Sequence, residues 1–125
     1  TPESLAALSV ENLSMPNKRA QAIKDMADAV VRGEIDLARS NSSEILIGQM
    51  TAIKGIGPWT AQYVTMRALN DPDAFLHSDL VILKSAASLL GVRSEKEMLK
   101  RSQAWRPWRA YAGMHLWRYA ARLAR

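Results

Sequence analysis

The chain has 125 residues, 23% of them charged, and a formal net charge of +5, enough length for one domain with a hydrophobic core that needs no covalent staples. It has no Cys and two His, which excludes disulfides, a Cys-ligated zinc site and a Cys-ligated iron–sulfur cluster, and argues against structural zinc. No apolar run approaches the roughly 20 residues of a bilayer span and nothing reads as a signal peptide, so a soluble intracellular protein is expected.

Taken in order, every element reads as helix or connector. Thr1-Pro2-Glu3 supplies a cap, a proline at the first helical position and an acid in the first turn, ahead of Leu5-Ala6-Ala7-Leu8. Ser9 can cap a short turn through Leu13. After Pro16, the spacing Ala20, Ile23, Ala27, Val30, with Met26 alongside, forms a helical stripe closed by Gly33. Residues 34–42 read as a polar loop, and a short helix follows from Ser43 to about Ala52 with Ile45, Leu46, Gln49 and Met50 on its inner face.

A tight Lys54-Gly55-Ile56-Gly57 turn comes next, and Pro58 starts a helix to about Leu69. Asn70-Asp71-Pro72-Asp73 breaks it by composition. Ser78 is expected to cap a helix from Asp79 to about Leu90, closed by Gly91. Ser94-Glu95-Lys96-Glu97 fits a capping box that opens a helix to about Ala104, and Pro107 fits the first turn of a last helix ending near Leu123. No segment alternates with period two, and no repeat or low-complexity tract is present. The expected class is all-α, with a hairpin at about 43–69, an Asp79 region at 75–90 and basic helices at 94–123.

Charge is unevenly placed. Residues 93–125 hold nine basic residues, Arg93, Lys96, Lys100, Arg101, Arg106, Arg109, Arg118, Arg122 and Arg125, against only Glu95 and Glu97. Such clustering suits a polyanion and salt-sensitive binding, although a solvated helix face would look the same. The chain starts at Thr1 without an initiator Met, with its first turn already helical in pattern, so a fragment or processed product is expected.

Two glycines ahead of a helix can simply end one helix and ease the packing of the next. Here a helix ends, a four-residue turn follows and a second helix begins, with apolar residues on both sides: a helix-hairpin-helix pattern. Such a turn can offer the Ile56 and Gly57 amides to a phosphate at the positive end of a helix dipole, with carbonyls on its other side left for a monovalent cation. Trp59 then offers a flat surface for a base, and Asp79 a negative charge for a cationic sugar.

Three segments carry a family likeness in the same order: Thr51-Ala52-Ile53-Lys54-Gly55-Ile56-Gly57-Pro58-Trp59-Thr60-Ala61, then Phe75-Leu76-His77-Ser78-Asp79, then Trp105-Arg106-Pro107-Trp108-Arg109-Ala110-Tyr111-Ala112 with His115-Leu116-Trp117. With them the chain resembles, from end to end, the bacterial alkylpurine DNA glycosylases (DNA-3-methyladenine glycosylase II, AlkA type) of the helix-hairpin-helix Gly/Pro-Asp superfamily. The resemblance implies a C-terminal fragment lacking the N-terminal sheet domain and the helices that carry the wedge residue. It implies that Asp79 is the catalytic aspartate and that Trp59, Tyr63 and Trp117 line the pocket for the flipped base. Gly55, Ile56, Gly57 and Thr60 would hold the DNA backbone, and the carbonyls of Thr51, Ile53 and Ile56 a sodium or potassium ion, with no other cofactor required. His77-Ser78 stands where relatives often carry Pro-Asp. Relatives that nick the strand have a lysine at the position of Trp59, so a monofunctional enzyme without a lyase step is implied.

The chemistry also follows from the residue types. Losing an alkylated purine builds positive charge on the sugar, which an ionised carboxylate stabilises. The cationic base needs little help from a general acid, and each aromatic ring beside it contributes about 0.5–2 kcal/mol of cation–π attraction. Trp59 and Tyr63 are four apart on one helix and share a face, though either ring can instead serve the core; Trp105 and Trp108 are assigned to packing. The expected partner is double-stranded DNA containing alkylated bases, bound by a monomer. Two other readings stand beside this one: a helix-hairpin-helix module that grips duplex backbone without catalysis, and a helical core domain with a basic surface.

Overall fold

The computed structural model describes residues 1–38 and 42–124, so part of the 34–42 loop and Arg125 lie outside the described residues. Among those described there are seven α-helices and two 3-10 turns and no strand: α1 Pro2–Ala7, α2 Asn17–Val31, α3 Ser43–Thr51, α4 Pro58–Ala68, α5 Leu80–Leu90, α6 Glu95–Ser102 and α7 Arg109–Leu123, with the 3-10 turns at Val10–Asn12 and Gln103–Trp105. Sequence reasoning takes the chain as one domain; by packing it forms two compact units, Thr1–Ala61 and Gln62–Arg125, divided inside α4.

In the first unit α1 packs on α2. Thr1 caps α1 by accepting from the Ser4 amide at 3.2 Å, and the Lys24 ammonium donates to the Ala6 carbonyl where α1 ends. The buried face of α2 is made of alanines, Ala20, Ala22, Ala27 and Ala29, whereas Ile23 is exposed. Small side chains let neighbouring backbone come close, which explains why the stripe expected from the larger residues is displaced. Ile35 follows the Gly33 turn and is buried at 3% exposure, inside what reads as a polar loop. In α3, Leu46 and Met50 are fully buried, and Ile45, expected inside, is 59% exposed.

The core of the second unit is built from Phe75, Leu76, Ile82, Ala86, Val92, Met98 and Leu116. Helices α5 and α7 pack directly. A Cβ at Gly113 would stand 3.4 Å from Ile82 Cδ1 and 3.7 Å from the Phe75 ring, ordinary van der Waals distances, so α7 meets α5 and Phe75 there in close contact. Ser88 and Tyr119 hydroxyls meet at 3.2 Å further along the same seam. Trp105 packs edge-on against Phe75, with centroids 5.9 Å apart, as a packing role requires. Trp108 departs from that expectation: it is 59% exposed and meets only the equally exposed Tyr111 edge-on in the recorded ring contacts.

Several helix ends differ from the sequence reading. Asp79, not Ser78, caps α5 and lies outside its first turn. At α6, Ser94 accepts from the Glu97 amide at 3.1 Å, but the Glu97 carboxylate turns to the Arg93 amide at 2.7 Å, one residue before the cap. Helix α7 starts at Arg109 rather than at Pro107. The cause is the 70–73 connection, whose groups take the first amides: Ala110 donates to the Pro72 carbonyl at 2.9 Å, and Arg109 binds Asp73 through Nε at 2.7 Å and Nη2 at 2.8 Å. Arg106 Nε adds a contact to Asp73 at 3.4 Å. Arg109 is therefore structural, not part of a free basic surface, while Arg93, Lys96, Lys100, Arg101, Arg118 and Arg122 remain exposed.

The bidentate Arg109 hydrogen bonds, followed by its charge, hold the Asp73 carboxyl below its ordinary value of 3.8. A depressed folded-state pKa means the stabilisation is complete above the unfolded value and disappears as pH falls through the folded one. Urea midpoints should therefore decline as the pH is lowered below 3.8, and Asp73→Asn should lower the midpoint at pH 7 and reduce that decline.

Candidate functional site

Two constellations carry the chemistry-bearing residues, one in each unit. In the first, α3 ends at Thr51, whose hydroxyl turns back to the Ile47 and Gly48 carbonyls at 2.8 and 3.1 Å. The turn then closes on itself: Ile53 N–H donates to the Met50 carbonyl and Ile56 N–H to the Ile53 carbonyl, both at 3.1 Å. Gly55 sits at φ +96°, and a Cβ there would come within 3.2 Å of Ala22 Cβ on α2. This glycine is thus required twice, for its backbone conformation and for the close approach of the turn to α2.

The Gly57 carbonyl accepts from Ala61 N–H at 3.1 Å, so Gly57 occupies the cap position of α4 and Pro58 its first turn. Helix geometry in general leaves the first amides of a helix outside its own hydrogen-bond ladder, an arrangement that favours an anion. Ile56 was expected to offer its amide as well, but that N–H is used to close the turn. Gly55, Gly57, Thr60 and Lys54 are exposed, and Trp59, on the first turn of α4, is 40% exposed. Of the three carbonyls expected to hold a cation, that of Ile53 already accepts one hydrogen bond, from Ile56 N–H, and retains a second lone pair. Among the described residues no cluster of three or more His, Cys, Asp or Glu could hold a metal.

In the second unit Asp79 stands at the N-terminus of α5 in extended backbone conformation, φ −68° and ψ 122°. Its Oδ1 accepts from Val81 N–H and Ile82 N–H, each at 2.9 Å, and from the indole Nε1–H of Trp117 at 3.0 Å. Three N–H donors on one oxygen suit a carboxylate anion, and so does the positive end of the helix. Tyr63 lies beside Trp117 with centroids 6.3 Å apart and planes tilted by 54°, and Arg67 stands 5.7 Å above the Tyr63 ring. Asp79, Trp117 and Tyr63 are all half-buried. The structure brings Asp79 and Trp117 into contact and Tyr63 beside them, which helical spacing on separate elements cannot show. A nearby recess of about 270 Å³, lined by Met66, Arg67, Pro72, Ala110, Tyr111 and Met114 among others, includes neither Asp79 nor Trp117.

Sequence reasoning missed the residues around the loop that leads to Asp79. Gln62 Nε2 lies 3.3 Å from His77 Nδ1, and His77 Nε2 lies 3.0 Å from Glu95 Oε1. The only hint was the presence of His77-Ser78 where Pro-Asp is frequent; nothing in the sequence pairs Gln62 or Glu95 with it.

Known proteins resemble this chain over most of its length. No protein-family model matches the chain. It is 39% identical over 116 residues to a probable bifunctional transcriptional activator/DNA repair enzyme AlkA of Mycobacterium tuberculosis, a match covering 92% of this chain and 23% of that protein. It is 31% identical over 120 residues to DNA-3-methyladenine glycosylase 2 of Escherichia coli, covering 94% of this chain and 41% of the relative. Among solved structures it superposes with a TM-score of 0.81 and 29% identity on the Schizosaccharomyces pombe 3-methyladenine DNA glycosylase Mag1, solved with abasic DNA, over 94% of this chain and 61% of the other. The chain therefore resembles DNA-3-methyladenine glycosylases of the AlkA type over nearly its whole length and shares the fold of the part of Mag1 it superposes on, while spanning less than half the length of these two curated relatives.

Because Gly55 combines a positive φ with contact to α2, Gly55→Ala should destabilise the protein by about 1–2 kcal/mol, read as a lower urea midpoint with an unchanged m-value.

Proposed function

We propose that this chain carries the catalytic region of a DNA glycosylase that hydrolyses the N-glycosidic bond of alkylated purines, leaving an abasic site and beginning base excision repair. The observation that carries the reading is the Asp79 carboxylate, fixed at a helix N-terminus by two backbone amides and touched by an indole N–H. Likeness to glycosylases over 92–94% of the chain supports it independently. The same reading places the protein in the compartment that holds the chromosome, the cytoplasm in a bacterium.

The mechanism follows from charge. As the bond between sugar and base lengthens, its electron pair leaves with the purine, neutralising the alkylated ring, and positive charge collects on the sugar. The Asp79 anion lowers the energy of that oxocarbenium-like state, and water then adds to the sugar carbon and loses a proton. The hydrogen bonds on Oδ1 come from uncharged N–H groups, so they hold the carboxylate in place without cancelling its charge. Tyr63 and Trp117 supply aromatic surface that favours a cationic base, and Trp59 is assigned the same role. A base flipped from the duplex meets this surface more readily when damage has already weakened its stacking.

Backbone binding is assigned to the hairpin, through the amides at the start of α4, the exposed Gly55, Gly57 and Thr60 and the half-buried Ile56. A sodium or potassium ion on the carbonyls of Thr51, Ile53 and Ile56 is part of this proposal; when bound it supplies positive charge near a phosphate. The second reading, a module that grips DNA without catalysis, draws support from the hairpin alone, which forms in the first unit without Asp79.

Free methylated purine should be released from alkylated duplex DNA, and Asp79→Asn should cut that release by about 10²–10³-fold. Asn keeps an oxygen acceptor for the α5 cap, so folding and DNA binding should persist; release undiminished in this variant would remove Asp79 from its role, and binding without release by the wild type would favour the module. With Trp59 where a Schiff-base lysine would stand, borohydride treatment should trap no covalent adduct with DNA, as judged by a gel shift under denaturing conditions.

A further inference from the structure

The segment Phe75–Asp79 leads from the core to the acid. Phe75 and Leu76 are buried at 4% and 2% exposure, and the chain then turns tightly, with His77 N–H on the Phe75 carbonyl and Asp79 N–H on the Leu76 carbonyl, both at 3.0 Å. His77 is the residue at the bend, and its side chain is only 19% exposed. With a proton on Nε2 the ring donates to Glu95 Oε1 at 3.0 Å and accepts at Nδ1 from Gln62 Nε2 at 3.3 Å. Both nitrogens are therefore occupied by residues of different helices, Gln62 on α4 and Glu95 at the first position of α6.

An imidazole held at both nitrogens cannot rotate without losing a hydrogen bond, and its Cα is two residues from Asp79. The neighbour of Gln62 on α4 is Tyr63, which stands beside Trp117. We infer that His77 is a positioning residue for the proposed reaction: the Gln62–His77–Glu95 chain fixes the bend that sets the Asp79 carboxylate against the Trp117 indole. This inference rests on the functional reading of Asp79 above.

The test joins an activity readout to one that does not need activity. Single-turnover release of methylated purine and DNA affinity are measured for wild type, His77→Ala and Glu95→Ala, together with the indole N–H resonances of ¹⁵N-labelled protein, that of Trp117 being assigned by its disappearance in Trp117→Phe. The release rate should fall about tenfold in His77→Ala, the order expected for a misplaced catalytic group, with Kd for DNA changed less than about twofold; Glu95→Ala should give a smaller loss of the same kind. The Trp117 indole signal should shift and exchange faster with solvent in both variants, but not in Ser94→Ala, a control that removes a helix cap on the same element as Glu95.

An unmoved Trp117 signal in the folded His77→Ala protein overturns the inference, as does a release rate per folded molecule equal to wild type with only the melting temperature lowered. Should His77→Ala fail to fold, Glu95→Ala, a change at a half-exposed side chain, decides by the same two criteria. Absence of release by the wild type would reject the functional reading, whereas the indole signal still judges the tie between His77 and Asp79.

Discussion

The second unit depends on how closely α7 lies along α5. Four residues of α7 set that distance and register. Arg109 grips Asp73 at its start, Gly113 lies against Ile82 and Phe75 near its middle, and Trp117 and Tyr119 reach Asp79 and Ser88 further on. From Arg109 to Trp117 is about 12 Å along a helix at 1.5 Å per residue. A clamp at one end and a close approach in the middle therefore leave the indole little freedom in how it meets the carboxylate. The catalytic assignment of Asp79 uses an oxygen whose place is already set by helix capping and by this seam.

Two aspartates six residues apart show how environment separates roles that sequence cannot. Asp73 faces two guanidinium groups, Arg109 in bidentate geometry and Arg106 beside it, so its charge is matched inside the fold. Asp79 receives its three recorded Oδ1 hydrogen bonds from two backbone amides and an indole, donors that carry no net charge. Asp73 thus ties the start of α7 to the connection before it, whereas Asp79 caps α5 and meets the Trp117 indole.

The hairpin meets its constraints differently. Its turn is short, closes its own amides and is pressed against α2, so its shape follows from Gly55 and the small Ala22 side chain more than from charge. The alanine-rich buried face of α2 fits the same need for close approach. Basic side chains remain exposed along α6 and α7, apart from Arg109, which is drawn inward.

Most of the element order and all-α class were legible because they rest on local rules: proline at the start of α1 and α4, Gly33 and Gly91 after helices, and serine or threonine before α1 and α6. The glycine turn was legible for the same reason, whereas Asp79, a common residue type at a helix start, was singled out by the family resemblance. The sequence by itself therefore determined which residues form helices, where the hairpin lies and which carboxylate heads α5. Only the tertiary structure decided that Asp79 itself is the cap, that Trp117 donates to it, that Arg109 belongs to Asp73 and that His77 joins Gln62 to Glu95. These pairings span 15 to 38 residues, and at such separations neither helical period nor capping chemistry relates one side chain to another; packing of helix on helix does.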